Sequence, residues 1–379
     1  MAFEGFVFSN ESSDLTDQEF EQACSTLDAI ERVLQERTRL ALKDPERAKT
    51  FMPDEGWHPD SQPSFELDGS TKNAQTSYNL LACKDRDIIR KMRLYGHAFT
   101  GYQLATLELA EKRPWVSEKL PDNWDDCLRQ LAGPPDQSVF DYVKVSSALP
   151  DHLRLSPPRK FGEIGWVWNG KIVNEDTYAY QERFCLMEEN GLFELLSQKI
   201  EAKGYLTMVE IGGGYGALGY FLMKLYGEKL HYIIIDIPES LAFSAIYLST
   251  LFPQLDNRII ETEKSALSLA VQGFTFLPNM HADLVTALDQ PVDLVLNTLS
   301  LSEMSDAQIH DYCRLAADAI GSDGLFFEQN HQSDHQGPGG IPPQYLRNLK
   351  PFATEILPES FPARRGDANL WVSASYEAE

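Results

Sequence analysis

The sequence predicts an α/β chain, a doubly wound and mostly parallel seven-stranded sheet preceded by a helical N-terminal region. Two phrases and one change of pattern carry this. Met208-Val-Glu-Ile-Gly-Gly-Gly-Tyr-Gly216 reads as a buried strand running into a glycine turn. Twenty residues further on, Ile233-Ile-Ile-Asp236 reads as a second strand ending in a carboxylate. From about Gln181 onward, short apolar runs alternate with helical patterns, as a sheet wound by crossover helices requires.

Taken in chain order, the first element expected is a helix from Leu15 to Leu42. Asp14 or Thr16 would cap it, and Phe20, Leu27, Ile30, Val33, Leu34 and Leu40 form its apolar face. Pro45 and the stretch from Pro53 to Pro63 end it. A second helical stretch, Ser77 to Ala110, carries Arg86, Arg90, Lys91 and Arg93, the densest basic cluster. That cluster is either a solvated helix face or a contact for a substrate phosphate or carboxylate. Prolines at 121, 134, 135, 157 and 158 punctuate the next segment, with a short helix between Asp125 and Leu131. Trp166-Val-Trp168 and Lys171-Ile-Val173, joined by Asn169-Gly170, give the strongest hairpin signal. The strands expected after it are Thr207–Ile211, His231–Asp236, Phe274–Leu277, Val292–Asn297, Gly324–Gln329 and Leu370–Ser375, the last entering antiparallel. A loop-rich segment spans Gln332 to Asp367. The expected organisation is a helical region over 1–160, a hairpin connector over 161–180 and a nucleoside-binding domain over 181–379.

The glycine turn has chemical consequences. Glycines at 212, 214 and 216 let the backbone bend sharply and come close to a ligand. A helix from about Ala217 to Tyr226 would aim its free N–H groups at that ligand. Asp236, at the tip of the next strand, is placed to accept hydrogen bonds from a ribose diol. Glu210 stands inside the end of the first strand, and the run Glu210-x-Gly212-x-Gly214-x-Gly216 resembles motif I of class I S-adenosyl-L-methionine (SAM) methyltransferases. A G-x-G-x-x-G also exists at Gly214, Gly216 and Gly219, so a nicotinamide dinucleotide is the competing cofactor. The resemblance implies SAM held by Glu210, Gly212, Gly213, Gly214, Tyr215, Gly216, Asp236 and Ile237. Met280 and His281, in Pro278-Asn-Met-His281, would flank the adenine.

Further along, Val292-Asp-Leu-Val-Leu-Asn297 leads into Thr298-Leu-Ser-Leu-Ser-Glu-Met304. Ligands in such sheets sit beyond the carboxyl ends of the strands, so Asn297 belongs near the reacting group, and Asn297, Ser300 and Glu303 are candidate contacts for substrate or for the cofactor's methionine end. Ser302 and Ser305 are equally ordinary helix caps. Taken with Tyr95-Gly-His-Ala-Phe-Thr-Gly-Tyr102, Gly170-Lys-Ile-Val-Asn-Glu-Asp-Thr-Tyr178, Ile235-Asp-Ile-Pro-Glu-Ser-Leu241 and Phe327-Glu-Gln-Asn330, these phrases resemble a family of sugar O-methyltransferases, from about Asn73 onward. That implies methyl transfer to a hydroxyl of a sugar, nucleotide sugar or similar small molecule, with Tyr95, His97, Tyr102, Trp166 and Trp168 as candidate walls. Methylation of nitrogen or carbon, or SAM binding without transfer, are the alternatives. Transfer to a hydroxyl needs alignment and removal of one proton. The candidate bases are His331, Glu303 and His281, with His335 also weighed. No metal is expected, because His331, Asp334 and His335 fit Mg²⁺ poorly and lie in a loop.

Composition limits the partners. Against 33 basic residues stand 57 acidic ones, a net charge of −24, which disfavours nucleic acid as a partner. No apolar run approaches a membrane span. Five cysteines, at 24, 83, 127, 185 and 313, form neither a C-x-x-C pair nor a disulfide framework. The opening Met-Ala-Phe-Glu-Gly-Phe lacks a basic region followed by an apolar core, so a cytoplasmic location is expected. The oligomeric state stays open.

Overall fold

A computed structural model describes residues 3–8, 15–53, 78–79, 81–95, 137–264, 272–330, 344–352, 355–357, 361–362 and 367–375. The chain divides into two units, residues 1–27 with 55–183, and residues 28–54 with 184–379.

In the first unit, β1 (Gly5–Phe8), β2 (Ile164–Trp168) and β3 (Lys171–Val173) form an antiparallel sheet in that order. Asn169 and Gly170 take φ of 48° and 71°, the left-handed pair that the Asn-Gly turn predicts. Helix α1 (Asp17–Lys43) runs from this unit into the second. Its cap is Thr16, whose hydroxyl accepts from the Glu19 N–H while the Glu19 carboxylate accepts from the Thr16 N–H. The short α2 (Pro45–Phe51) comes next, capped by Asp44 with proline in its first turn. Within the expected helix over 77–110, the described parts are brief helical turns, including Arg86–Ile89 and Met92–Tyr95. The rest, with His97 and Tyr102, lies outside the described residues, as does the helix expected at 125–131.

The basic cluster is divided, with Arg86 exposed and Lys91 and Arg93 buried, and it is not a row of free cations. Arg86 pairs with Asp17 at 2.5 Å and Arg90 with Asp87 at 2.6 Å. Arg93 is buried between Glu163 and Asp176, at 2.9 and 2.8 Å. Glu163 also accepts from the Asn174 amide, and α3 (Gln137–Ser147) completes the unit's described core with Val139, Tyr142 and Val143.

Helix α4 (Glu175–Glu189) leads into the second unit, where α5 (Leu192–Lys203) precedes the main sheet. The strands are β4 (Leu206–Ile211), β5 (Leu230–Asp236), β6 (Arg258–Ile259), β7 (Gly273–Pro278), β8 (Leu294–Thr298), β9 (Leu325–Asn330), β10 (Leu346–Pro351) and β13 (Asp367–Ser373), with β11 (Glu355–Leu357) and β12 (Phe361–Pro362) forming a separate ribbon. Their order is β10-β13-β9-β8-β4-β5-β7-β6, with β4 central and parallel to β5 and β8. Strand β13 enters antiparallel to β9, as expected. Among the described residues, eight strands replace the expected seven. The two-residue β6 sits at one edge, and β10 falls inside the segment expected to be loop-rich. Beyond Leu346, β10 is exposed and its one further leucine, Leu349, faces solvent, so no buried apolar alternation announces it. An edge strand needs only backbone pairing on one side, and charge on it discourages further pairing.

The central strands are buried on both faces because helices cover them. These are α6 (Ala217–Tyr226), α7 (Pro238–Leu251) and α8 (Asp306–Ile320). Ile233, Ile234 and Ile235 are each fully buried, worth about 1.5–3 kcal/mol apiece by transfer. Residues 28–53 pack at the carboxyl end of β7. Val33, Leu40, Ala48 and Phe51 surround Met280, and the Asn279 amide donates to the Phe51 carbonyl at 2.6 Å. The Gln308 amide donates to the Met52 carbonyl at 3.0 Å. Among the described residues no helix is long and apolar enough to cross a membrane.

Burial pushes the Glu163 carboxyl up to about 7 against the opposing pull of Arg93. A raised carboxyl favours the folded state below its ordinary value, and that contribution is lost as pH rises through about 7. Glu163→Gln should therefore shift the melting temperature more favourably, relative to wild type, at pH 8 than at pH 5. Thermal unfolding of both proteins across that range is the check.

Candidate functional site

The site is built where β4 ends. The Gly212 N–H continues the ladder onto the Ile235 carbonyl at 2.8 Å, and the chain then turns through Gly212, Gly214 and Gly216 at φ of 75°, 54° and 92°. Gly216 opens α6, and among the described residues no side chain caps that first turn. A Cβ at Gly212 would lie 2.2 Å from the Ser300 hydroxyl, so the turn packs against the segment after β8 as closely as backbone allows. Tyr215 is buried edge-to-face against Tyr247 of α7, with ring centroids 5.2 Å apart.

Two carboxylates flank this turn. Glu210 is buried beneath it and accepts from the Tyr232 hydroxyl at 2.8 Å. Asp236, at the end of β5, is partly exposed and accepts from the Gly214 N–H at 3.0 Å, the Ile237 N–H at 2.8 Å and the Ser240 hydroxyl at 2.8 Å. Burial nevertheless pushes Asp236 up to about 6, with the neighbouring Glu239 adding to the rise. A carboxylate fixed by three donors keeps acceptor capacity for a fourth. Tyr312 of α8 comes close enough to feel the Asp236 charge, and its hydroxyl lies beside Asn279.

Across β4 from Asp236, Asn297 is fully buried. Its amide donates to the Ile211 carbonyl at 2.9 Å and to the Ser300 hydroxyl at 2.5 Å, and its oxygen accepts from the Leu301 N–H. It ties the ends of β8 and β4 together. Leu299 beside it takes φ of 71°, a conformation costing a non-glycine residue about 1–3 kcal/mol, with its N–H held by the Gln329 carbonyl. Ser305 caps α8 in a capping box with Gln308. Glu303 is exposed at the end of the single 3₁₀ turn before that cap.

Sheet order places Met280 and His281, just past β7, two strands from β4 on the side away from Asn297 and Glu303. His281 is 2% exposed, with the Glu261 backbone beside its ring. Burial holds its imidazole below the ordinary value despite the nearby carboxylates of Glu263 and Glu36. His331 and His335 lie outside the described residues, as does Asp334. Among the described residues no group of three or more His, Cys, Asp or Glu is gathered to hold a metal.

Three features go beyond the sequence expectations. Arg37 of α1 reaches Glu239 with both ends of its fork, at 2.8 and 2.6 Å. Tyr312 faces Asp236 from a helix that the sequence marks only by its cap. Glu328 is buried in β9 and accepts from Asn330, Asn369 and Trp371 at 2.8, 2.6 and 3.2 Å. A charged residue on the buried face of α1, among Ile30, Val33, Arg37 and Leu40, is the one sequence signal of the first.

No family model matches the chain, and no curated protein matches it. Solved structures similar to it include MtNAS in complex with MTA and tNA, at 12% identity over 62% of this chain and 69% of the other, TM-score 0.29. A TehB-like SAM-dependent methyltransferase from Corynebacterium glutamicum aligns at 11% identity over 49% of this chain and 98% of its own, TM-score 0.31. The mitomycin 7-O-methyltransferase MmcR aligns at 14% over 44% and 48%, TM-score 0.27. Likeness at this level transfers no activity.

Because Asp236 is raised in the free protein, its contribution to stability is lost as pH rises through about 6. Asp236→Asn should therefore stabilise the ligand-free protein more at pH 8 than at pH 4. Thermal melts at the two values test this.

Proposed function

We propose that the chain is a SAM-dependent methyltransferase of a hydroxylated small molecule, with a sugar or nucleotide sugar as the substrate class. The observation that carries the reading is the start of α6 at Gly216 behind the glycine turn, where no side-chain cap is made among the described residues, with Asp236 partly exposed beside it. The turn is flanked by Glu210 and Asp236, an environment that favours a cationic nucleoside and opposes a pyrophosphate. The residues present therefore fit SAM better than a dinucleotide. The second unit, including residues 28–54, would be the cofactor domain.

When bound, SAM supplies a methyl group already activated on a sulfonium. The chain's own work is to bind, align and deprotonate. Asp236 would accept from the ribose hydroxyls, and the first turn of α6 would lie against the methionine end. Met280 and His281 would border the adenine. That leaves His331 or Glu303, rather than His281, to take the hydroxyl proton. Asn297 acts in this scheme by fixing the ends of β4 and β8, with Ser300 closing the turn from the side of β8.

Calorimetric titration with S-adenosylhomocysteine, with NAD⁺ as control, tests the cofactor. Micromolar binding of the first and none of the second is expected. Asp236→Ala removes hydrogen bonds to a charged acceptor and should weaken binding about 10–100-fold. Binding of NAD⁺ alone would sink the methyltransferase reading. Transfer of labelled methyl to a panel of sugars and nucleotide sugars then addresses the acceptor.

A further inference from the structure

The N-terminal helix reaches the nucleoside turn through one buried side chain. Arg37 is 5% exposed and Glu239 is 1% exposed, and the guanidinium spans both carboxylate oxygens at 2.8 and 2.6 Å. Glu239 is the second residue of α7, three positions after Asp236, in the turn Ile237-Pro-Glu-Ser240. Two other polar groups of that turn, the Ile237 N–H and the Ser240 hydroxyl, both bond Asp236. Arg37, Glu239 and Asp236 thus form a continuous chain from α1 to the ribose-binding position.

We propose that Arg37 is a positioning residue for the nucleoside site: by holding Glu239 it fixes the Ile237–Ser240 turn in the form that leaves Asp236 open to a ribose diol. The inference rests on the SAM reading above.

Two physical arguments separate this role from simple adhesion. A buried ion pair is a poor source of net stability, since apolar residues of the same shape often do as well or better. Its value lies in geometry, because a two-pronged guanidinium fixes the carboxylate plane as well as its distance. The pair also governs charge. Among the described residues, the groups facing Asp236 are Glu239 from its own turn and Tyr312 from α8, whose hydroxyl is itself near Asp283 and Asp311. None of these is cationic, so Glu239 without its guanidinium would repel the Asp236 charge more strongly. Asp236 would then hold its proton to higher pH and be a weaker acceptor for ribose hydroxyls.

The test is calorimetric titration of the full chain with S-adenosylhomocysteine from pH 5 to pH 8. It uses wild type, Arg37→Met, Arg37→Lys, Glu239→Gln and the double variant Arg37→Met/Glu239→Gln, with a thermal melt for each. Arg37→Met should weaken binding about tenfold at pH 7. It should also move the pH at which binding fails upward from that of the wild type. Glu239→Gln in the same chain removes the offending charge and should restore both the affinity and the pH profile. Arg37→Lys, which keeps the charge but not the fork, should bind more weakly with an unshifted profile. Should Arg37→Met fail to fold, the lysine and glutamine variants decide by the same two readouts. Wild-type affinity and profile in Arg37→Met, or no rescue in the double variant, would overturn the proposal. Absence of binding by wild type would instead overturn the SAM reading beneath it.

Discussion

The carboxyl end of the sheet depends on how closely the glycine turn after β4 can lie against its neighbours. The Ile211 carbonyl, the last of β4, is capped from the side by the Asn297 amide and the Ser300 hydroxyl. That contact leaves no room for a Cβ at Gly212. With the turn pinned on one side by β8 and on the other by Asp236, its shape is set before any ligand arrives. Preorganisation of this kind lowers the ordering cost of binding.

The same constraint explains the polar layer around the turn. Backbone that leaves a strand in a buried place needs partners for its N–H and C=O groups. Asn297, Ser300 and Asp236 supply them, so side chains that a motif would assign to ligand contact are also structural. In Asp236 hydrogen bonding and burial compete. Three donors stabilise its charge while burial opposes it, and the balance leaves it raised to about 6. Residues 28–53 add a second layer, joining α1 and α2 to the ends of β5 and β7 through Arg37, Phe51 and Met280.

The legibility of the fold tracks burial. Strands β4, β5, β7 and β9 are buried throughout or nearly so, and each appears in the sequence as an apolar run with boundaries close to those found. The Asn169-Gly170 hairpin is readable because its turn demands two left-handed residues. Strands β6 and β10 are not, since one has two residues and the other is exposed and charged. The basic cluster misleads for a different reason. Helical spacing reports which residues share a face, and carboxylates remote in sequence then decide that Arg93 is buried.

By itself, then, the sequence determined the doubly wound sheet, the glycine turn and the carboxylates at 210 and 236, because these arise from local periodicity and from backbone angles that glycine permits. Only the tertiary structure decided that Asn297 would bond Ile211 and Ser300, that Tyr312 would face Asp236, and that Arg37 would bind Glu239 across 202 positions of chain. Such contacts are set by which elements pack together, and a side chain's hydrogen-bonding capacity is the same wherever its partner lies.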